Sequence, residues 1–174
     1  MVHSVELLFD AATDAAVRRI WDDLTEAGIR SLAAHESPSN RPHVTLTVAD
    51  HLDGAVDDAL RPLLTRLPMP CVIGAPMFFG SGAAVTLVRL LVPSAELLAL
   101  HADVHRATTP HRNTDPMPHT EPGHWTPHVT LARRLPVDLL GTAAGLGGVG
   151  RNIPGAAVAL RHWDGNAKVE HRIG

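Results

Sequence analysis

Two stretches of the sequence carry residues suited to acid–base chemistry on an anion. Pro42-His43-Val44-Thr45-Leu46 recurs as Pro127-His128-Val129-Thr130-Leu131, 85 residues further on. In an extended strand, successive side chains point to opposite faces. His43, Thr45 and Thr47 therefore share one face, and Val44, Leu46 and Val48 the other. His128 and Thr130 likewise oppose Val129 and Leu131. The apolar set suits a core, which leaves each His/Thr pair on the other side. With a rise of about 3.3 Å per residue, the two members of a pair stand about 6 to 7 Å apart. Both can reach one tetrahedral anion above the strand. Two such pairs facing each other would set one imidazole on either side of a phosphorus, as base and acid, with two hydroxyls donating to its nonbridging oxygens. In-line displacement needs groups on opposite sides, and this set needs no metal. Each positioned acid or base typically contributes about 10²- to 10⁴-fold in rate.

The elements that must position these residues follow from pattern and punctuation. Val2 to Phe9 reads as a strand. Thr13 caps a helix to about Ala27, with Val17, Ile20, Trp21 and Leu24 on its buried side and Gly28 as its stop. Pro42 to Ala49 is the first motif strand. A helix from Ala55 to Leu67 follows, with Pro62 as a kink. Cys71 to Phe79 and Ala83 to Val92 form a hairpin about Gly80-Ser81-Gly82. Ser94 caps a third helix to Arg106. The Pro-rich loop from Ala107 to Pro127 leads into the second motif strand, His128 to Ala132. This loop is expected to border the site and to be more mobile than the strands. A short helix, Val137 to Ala144, precedes a Gly-rich stretch. Ala156 to Trp163 and Ala167 to Ile173 close the chain as a hairpin. Interleaved helices and hairpins predict an α+β fold with a mainly antiparallel sheet. No linker divides the chain, so residues 1–174 read as one domain of two related halves.

Composition narrows the function. The 174 residues hold 15 basic and 18 acidic side chains, a formal net charge of −3. That argues against a protein that coats long nucleic acid. One cysteine, Cys71, excludes an intrachain disulfide and suits a reducing compartment. With no secretory signal and no apolar run of about 20 residues, a cytoplasmic protein with no membrane partner is expected.

Paired His-x-Thr-x motifs, one per half, resemble the signature of the two-histidine (2H) phosphoesterase superfamily. The run Trp125-Thr126-Pro127-His128-Val129-Thr130-Leu131-Ala132-Arg133 is similar to its 2′-5′ RNA ligase and cyclic phosphodiesterase branch. The resemblance spans the chain. It implies a bilobal fold, in which two pseudo-symmetric antiparallel sheets line a central cleft with helices outside. It also implies action on 2′,3′-cyclic phosphates or 2′-5′ linkages of RNA ends or small nucleotides, with no cofactor. By that likeness His43 and His128 are catalytic, and Thr45 and Thr130 hold the phosphate.

Further candidates surround the motifs. Arg41 shares the His43 face and could bind phosphate oxygens. Beyond the second motif, strand parity favours Arg134 and the resemblance favours Arg133, so both stand. Trp125 and Phe79 could stack on a base, and the opposite parity of Phe78 and Phe79 puts one of them in the core. His101 and His105 are spaced as on one helix face. With His111, His119 and His124 they make a zinc-ligand cluster thinkable, though no HExxH is present. Gly145-Leu146-Gly147-Gly148-Val149-Gly150 matches a dinucleotide fingerprint but follows a helix instead of a strand, so it reads as a loop. The alternatives to a metal-free phosphoesterase are a non-catalytic nucleotide- or RNA-binding module and a His-ligated metal hydrolase. The protein is expected to be a monomer acting on a small nucleotide or an RNA end.

Overall fold

A computed structural model describes residues 2–115 and 117–174; Pro116, within the long loop, lies outside them. The described residues form seven strands and four α-helices in the order β1 (His3–Phe9), α1 (Ala11–Glu26), β2 (His43–Ala49), α2 (Val56–Leu60), β3 (Met69–Phe79), β4 (Ala84–Leu91), α3 (Ala95–Thr108), β5 (His128–Pro136), α4 (Leu140–Gly145), β6 (Ile153–Asp164) and β7 (Val169–Ile173). The fold is α+β and every strand pairing is antiparallel. The two expected sheets are joined into one, in the order β1-β2-β5-β4-β3-β6-β7, and β1 also pairs with β6. The joint between the halves is thin. β2 and β5 share the single pair Val44–Val129, whereas β1–β2 and β4–β5 are each registered over six pairs.

Each half repeats strand, helix, long connection, motif strand: β1-α1-β2 and β4-α3-β5. The two long helices, α1 and α3, start on side-chain caps, where a carboxylate or hydroxyl accepts an otherwise free N–H. Asp10 accepts from the Thr13 amide and Ser94 from the Leu97 amide. Asp10, not Thr13, is therefore the cap of α1, and Thr13 reinforces it through its own hydroxyl. The same carboxylate accepts the Ala156 amide of β6. Gly155 permits this approach, since a Cβ there would lie 1.8 Å from the Thr13 hydroxyl.

Val17, Ile20, Trp21 and Leu24 are buried on α1, as their spacing requires. α1 packs on β6 and β5, while α3 packs on β2 and α2. Each long helix thus lies beneath the motif strand of the other half. The segment expected to be one helix from Ala55 to Leu67 is α-helical only to Leu60 and continues as a 3-10 turn, Arg61–Arg66. Pro62, which has no N–H to donate, stands at that change.

The long loop is tied down at several points. Leu52 bridges Arg112, Met117 N–H donates to the Val48 carbonyl, and the Thr120 carbonyl faces Nε2 of buried His101. It runs along β2, so it borders the motif as expected. Among the described residues no helix is long and apolar enough to cross a membrane.

Candidate active site

Both motif strands begin in the alternation that the sequence predicts. His43, Thr45, His128 and Thr130 are half-exposed, while Val44, Leu46, Val129 and Leu131 are buried. The antiparallel pair Val44–Val129 brings the two His/Thr faces side by side, and its register sets each histidine level with the other strand's threonine. Diagonal neighbours across such a pair stand about 7 to 8 Å apart, room for one phosphate between two imidazoles.

Directly after each motif the strand carries one extra residue. Val5 pairs with Thr47 and Glu6 with Thr45, which leaves Leu46 over. Leu87 pairs with Ala132 and Val88 with Thr130, which leaves Leu131 over. Such a bulge reverses the alternation beyond it. Thr47 therefore does not share the His43 face. It is buried, and its hydroxyl has no hydrogen-bond partner. On β5 the same slip buries Ala132 and turns Arg133 out on the motif side. Of the two arginines left open, Arg133 is the one whose charge acts on His128. Arg134 sits at a second irregularity with φ of 54° and is exposed. The parity argument for Arg134 fails because it assumed an unbroken strand.

The two histidines are held alike. Nδ1 of His43 donates to the Arg41 carbonyl at 2.8 Å, and Nδ1 of His128 donates to the Thr126 carbonyl at 2.7 Å. A carbonyl only accepts, so Nδ1 carries hydrogen and Nε2 is the nitrogen left for chemistry. Unprotonated, Nε2 is a base; protonated, it is an acid. Burial pushes the His128 ring below the ordinary imidazole value, and the positive charges of His43 and Arg133 add to this against its bond to Thr126.

Sequence reasoning missed the groups that hold the seam. Trp21 Nε1 donates to the Thr130 carbonyl at 3.1 Å, and Trp125 Nε1 donates to the Thr45 carbonyl at 3.0 Å. Beyond Val44–Val129 the strands share no further pair, and the indoles satisfy these carbonyls. Trp125 also stacks flat on His101, with centroids 3.9 Å apart and planes 2° apart. One ring face and its polar edge are thus occupied. Phe79 remains available: it is 37 % exposed and meets the His128 ring edge-on at 4.8 Å. Phe78 is 58 % exposed, so neither phenylalanine is core.

Arg41 is engaged elsewhere, with Nη2 donating to Glu170 Oε1 at 3.0 Å. Glu6 and Arg161, which carried no signal in the sequence, form a buried ion pair beside His43.

Of the twelve histidines, His3, His101 and His162 are buried. His101 is buried against Thr120 and Trp125, so it does not face outward with His105 as a ligand pair. His3 bonds to His162, and Asp164 and Asp57 flank them. Among the described residues no three His, Cys, Asp or Glu side chains converge as for a metal ion. Burial, aided by the charge of Asp10, pushes the Cys71 thiol up to about 11, so it is no nucleophile at neutral pH.

The chain and its fold match known proteins. The family model of the 2′-5′ RNA ligase superfamily matches residues 10–145, and the chain belongs to that family, the 2H phosphoesterases. Kluyveromyces marxianus Usb1 with uridine monophosphate superposes at a TM-score of 0.57 and 12 % identity, covering 99 % of this chain and 97 % of that one. The MHV ns2 PDE domain gives 0.55 and 17 %, covering 99 % of each chain. Escherichia coli LigT complexed with phosphate gives 0.52 and 14 %, covering 98 % and 91 %. At these identities the likeness is one of fold. No curated protein sequence matches the chain.

Proposed function

We infer that the protein is a metal-independent phosphoesterase acting on 2′,3′-cyclic phosphates or 2′-5′ phosphodiester bonds of small nucleotides or RNA ends. The observation that carries this reading is the matched presentation of two imidazoles. Each is locked through Nδ1 to the carbonyl two residues before it, and each leaves Nε2 on a half-exposed face beside a threonine. In hydrolysis of a cyclic phosphate, His128 takes the proton from the attacking water. His43 gives a proton to the departing ribose oxygen as the phosphorus–oxygen bond breaks. Thr45 and Thr130 donate to the nonbridging oxygens. The roles exchange in the reverse, ligation direction. The depressed basicity of His128 supports its part as base, because a ring neutral at pH 7 is ready to accept a proton. Arg133 supplies positive charge beside the phosphate, and Phe79 offers an apolar face beside His128 for a base.

The test is a screen of 2′,3′-cyclic mononucleotides and 2′-5′ dinucleotides, with product identification and with EDTA present. Hydrolysis indifferent to EDTA supports the reading. Activity that vanishes with EDTA and returns with zinc would favour the metal alternative. Binding of nucleotides with no turnover of any of them would favour the non-catalytic module.

A further inference from the structure

The two motif halves share a register, and they differ in what lies across from each threonine. Thr45 lies across from Glu6 on β1, whereas Thr130 lies across from Val88 on β4. Glu6 is 4 % exposed, so a carboxylate is buried beside one histidine only. Its Oε1 accepts from the Ser4 hydroxyl at 2.7 Å and stands 3.8 Å from Nε2 of His43, the free nitrogen. Its Oε2 accepts from Nε of Arg161 at 2.8 Å and from Nη2 of the same residue. Arg161 is fixed in turn by the Ser39 carbonyl at 2.7 Å and Glu170 Oε2 at 2.9 Å, and Arg41 holds the other oxygen of Glu170.

We propose that Glu6 is a positioning residue that makes the two histidines unequal, pairing with the protonated ring of His43 so that His43 serves as the acid and His128 as the base. The inference rests on the two-histidine reading above and deepens it. A two-fold related pair has no inherent preference for which ring is charged, yet the reaction needs one charged and one neutral. An opposite charge within about 4 Å favours the ionised form, and burial leaves that attraction poorly screened.

Glu6 is fit for this task. Burial acts to raise its carboxyl, but the charges of His43 and Arg161, with hydrogen bonds from Ser4 and Arg161, hold it below the ordinary value. It therefore stays ionised at neutral pH. At 3.8 Å it does not engage Nε2 in a hydrogen bond, so the proton remains free for a leaving oxygen. Arg161 compensates its charge, which limits repulsion of an incoming phosphate. On the other side His128 meets Phe79 and the positive charges of His43 and Arg133, Val88 lies across from Thr130, and no carboxylate acts on the ring.

The experiment uses Glu6→Gln, which keeps the side-chain shape. Ring resonances of His43 and His128 are titrated by NMR in both proteins, and pH profiles of kcat/KM are measured with a 2′,3′-cyclic nucleotide. In the wild type, His43 is expected to keep its second proton to a higher pH than His128. In Glu6→Gln, the His43 midpoint and the alkaline limb of the profile move down by about one pH unit, while His128 and the acid limb stay in place. A wild-type His43 that titrates at or below His128 overturns the proposal, as does an unmoved midpoint in the variant. Should the variant fail to fold, the wild-type order alone decides. The NMR arm needs no turnover, so a moved midpoint in a protein that hydrolyses no phosphoester keeps the Glu6 pairing and rejects the phosphoesterase reading.

Discussion

In the half around β2, the motif carbonyl of Thr45 is held by Trp125, which comes from the loop leading into β5. In the half around β5, the carbonyl of Thr130 is held by Trp21, which comes from helix α1. Each half supplies the indole that holds the other. The two bonds are equivalent in geometry but not in sequence position, so the functional symmetry extends beyond the repeated pentapeptide. Where the strands themselves carry the symmetry, it is close: one carbonyl bond per histidine and one bulge per motif. It breaks at Glu6 against Val88, beside the two residues that would have to act differently. Contacts that hold the site are thus shared by the halves, and the contact that would divide labour within it is not.

Removing either histidine tests the shared part most severely. His43→Ala and His128→Ala should each lower turnover of a 2′,3′-cyclic nucleotide by about 10²-fold or more. The double variant should be little worse than either single one, because acid and base act in one transition state. Near-full activity in either single variant would end the two-histidine assignment. Circular dichroism should show both folded, since the rings are half-exposed and their removal leaves the core intact.

A smaller effect is expected at the hydroxyls. Thr45→Ala and Thr130→Ala each delete one hydrogen bond to an anion, worth about 1.5 to 3 kcal/mol, or roughly 10- to 100-fold in kcat/KM. Equal losses would show that the halves share the phosphate evenly. Unequal ones would locate it nearer one strand.

Next come the indole bonds. Trp125→Phe and Trp21→Phe leave a carbonyl unpaired at the seam, at a cost of about 1 to 3 kcal/mol, read by denaturant unfolding. Trp21 is 3 % exposed, so its replacement also leaves a gap in the core and should cost the more. A Trp125→Phe protein as stable and as active as the wild type would remove the clamp from this account.

The mildest expectation concerns pH and stability. Burial lowers the basicity of His101, against the backbone bonds to Thr120 and Leu46. The folded state therefore holds the ring neutral, while the unfolded ring takes up a proton near its ordinary value of about 6.5. The stabilisation is complete above that value and is lost as the pH falls through the folded value. His128 acts in the same sense. The Tm should decline between pH 7 and pH 5, and His101→Gln should flatten the decline. A Tm that rises over this interval would contradict the burial of a neutral ring at His101.

Local pattern sets most of the elements and the chemistry-bearing pairs. Hydrophobic alternation placed His43 and Thr45, and His128 and Thr130, on one face of each strand. Helical spacing chose the buried side of α1, and the element order set the α+β class. These are local properties, fixed by a period of two or 3.6 residues. The tertiary structure decided what local period cannot reach. The bulges after Leu46 and Leu131 arise from pairing with β1 and β4, and they moved Thr47 inward and Arg133 outward. Trp125 became a clamp because β2 offers the Thr45 carbonyl to its edge and α3 presents His101 to its face. Arg41 turned away because β7 offers Glu170. Glu6, which reads as a polar residue in a strand that also holds His3 and Ser4, acquires its meaning only when β2 sets His43 at its side and β6 brings Arg161. A residue's charge environment is the sum of groups distant in the chain, so it exists only once the chain has folded.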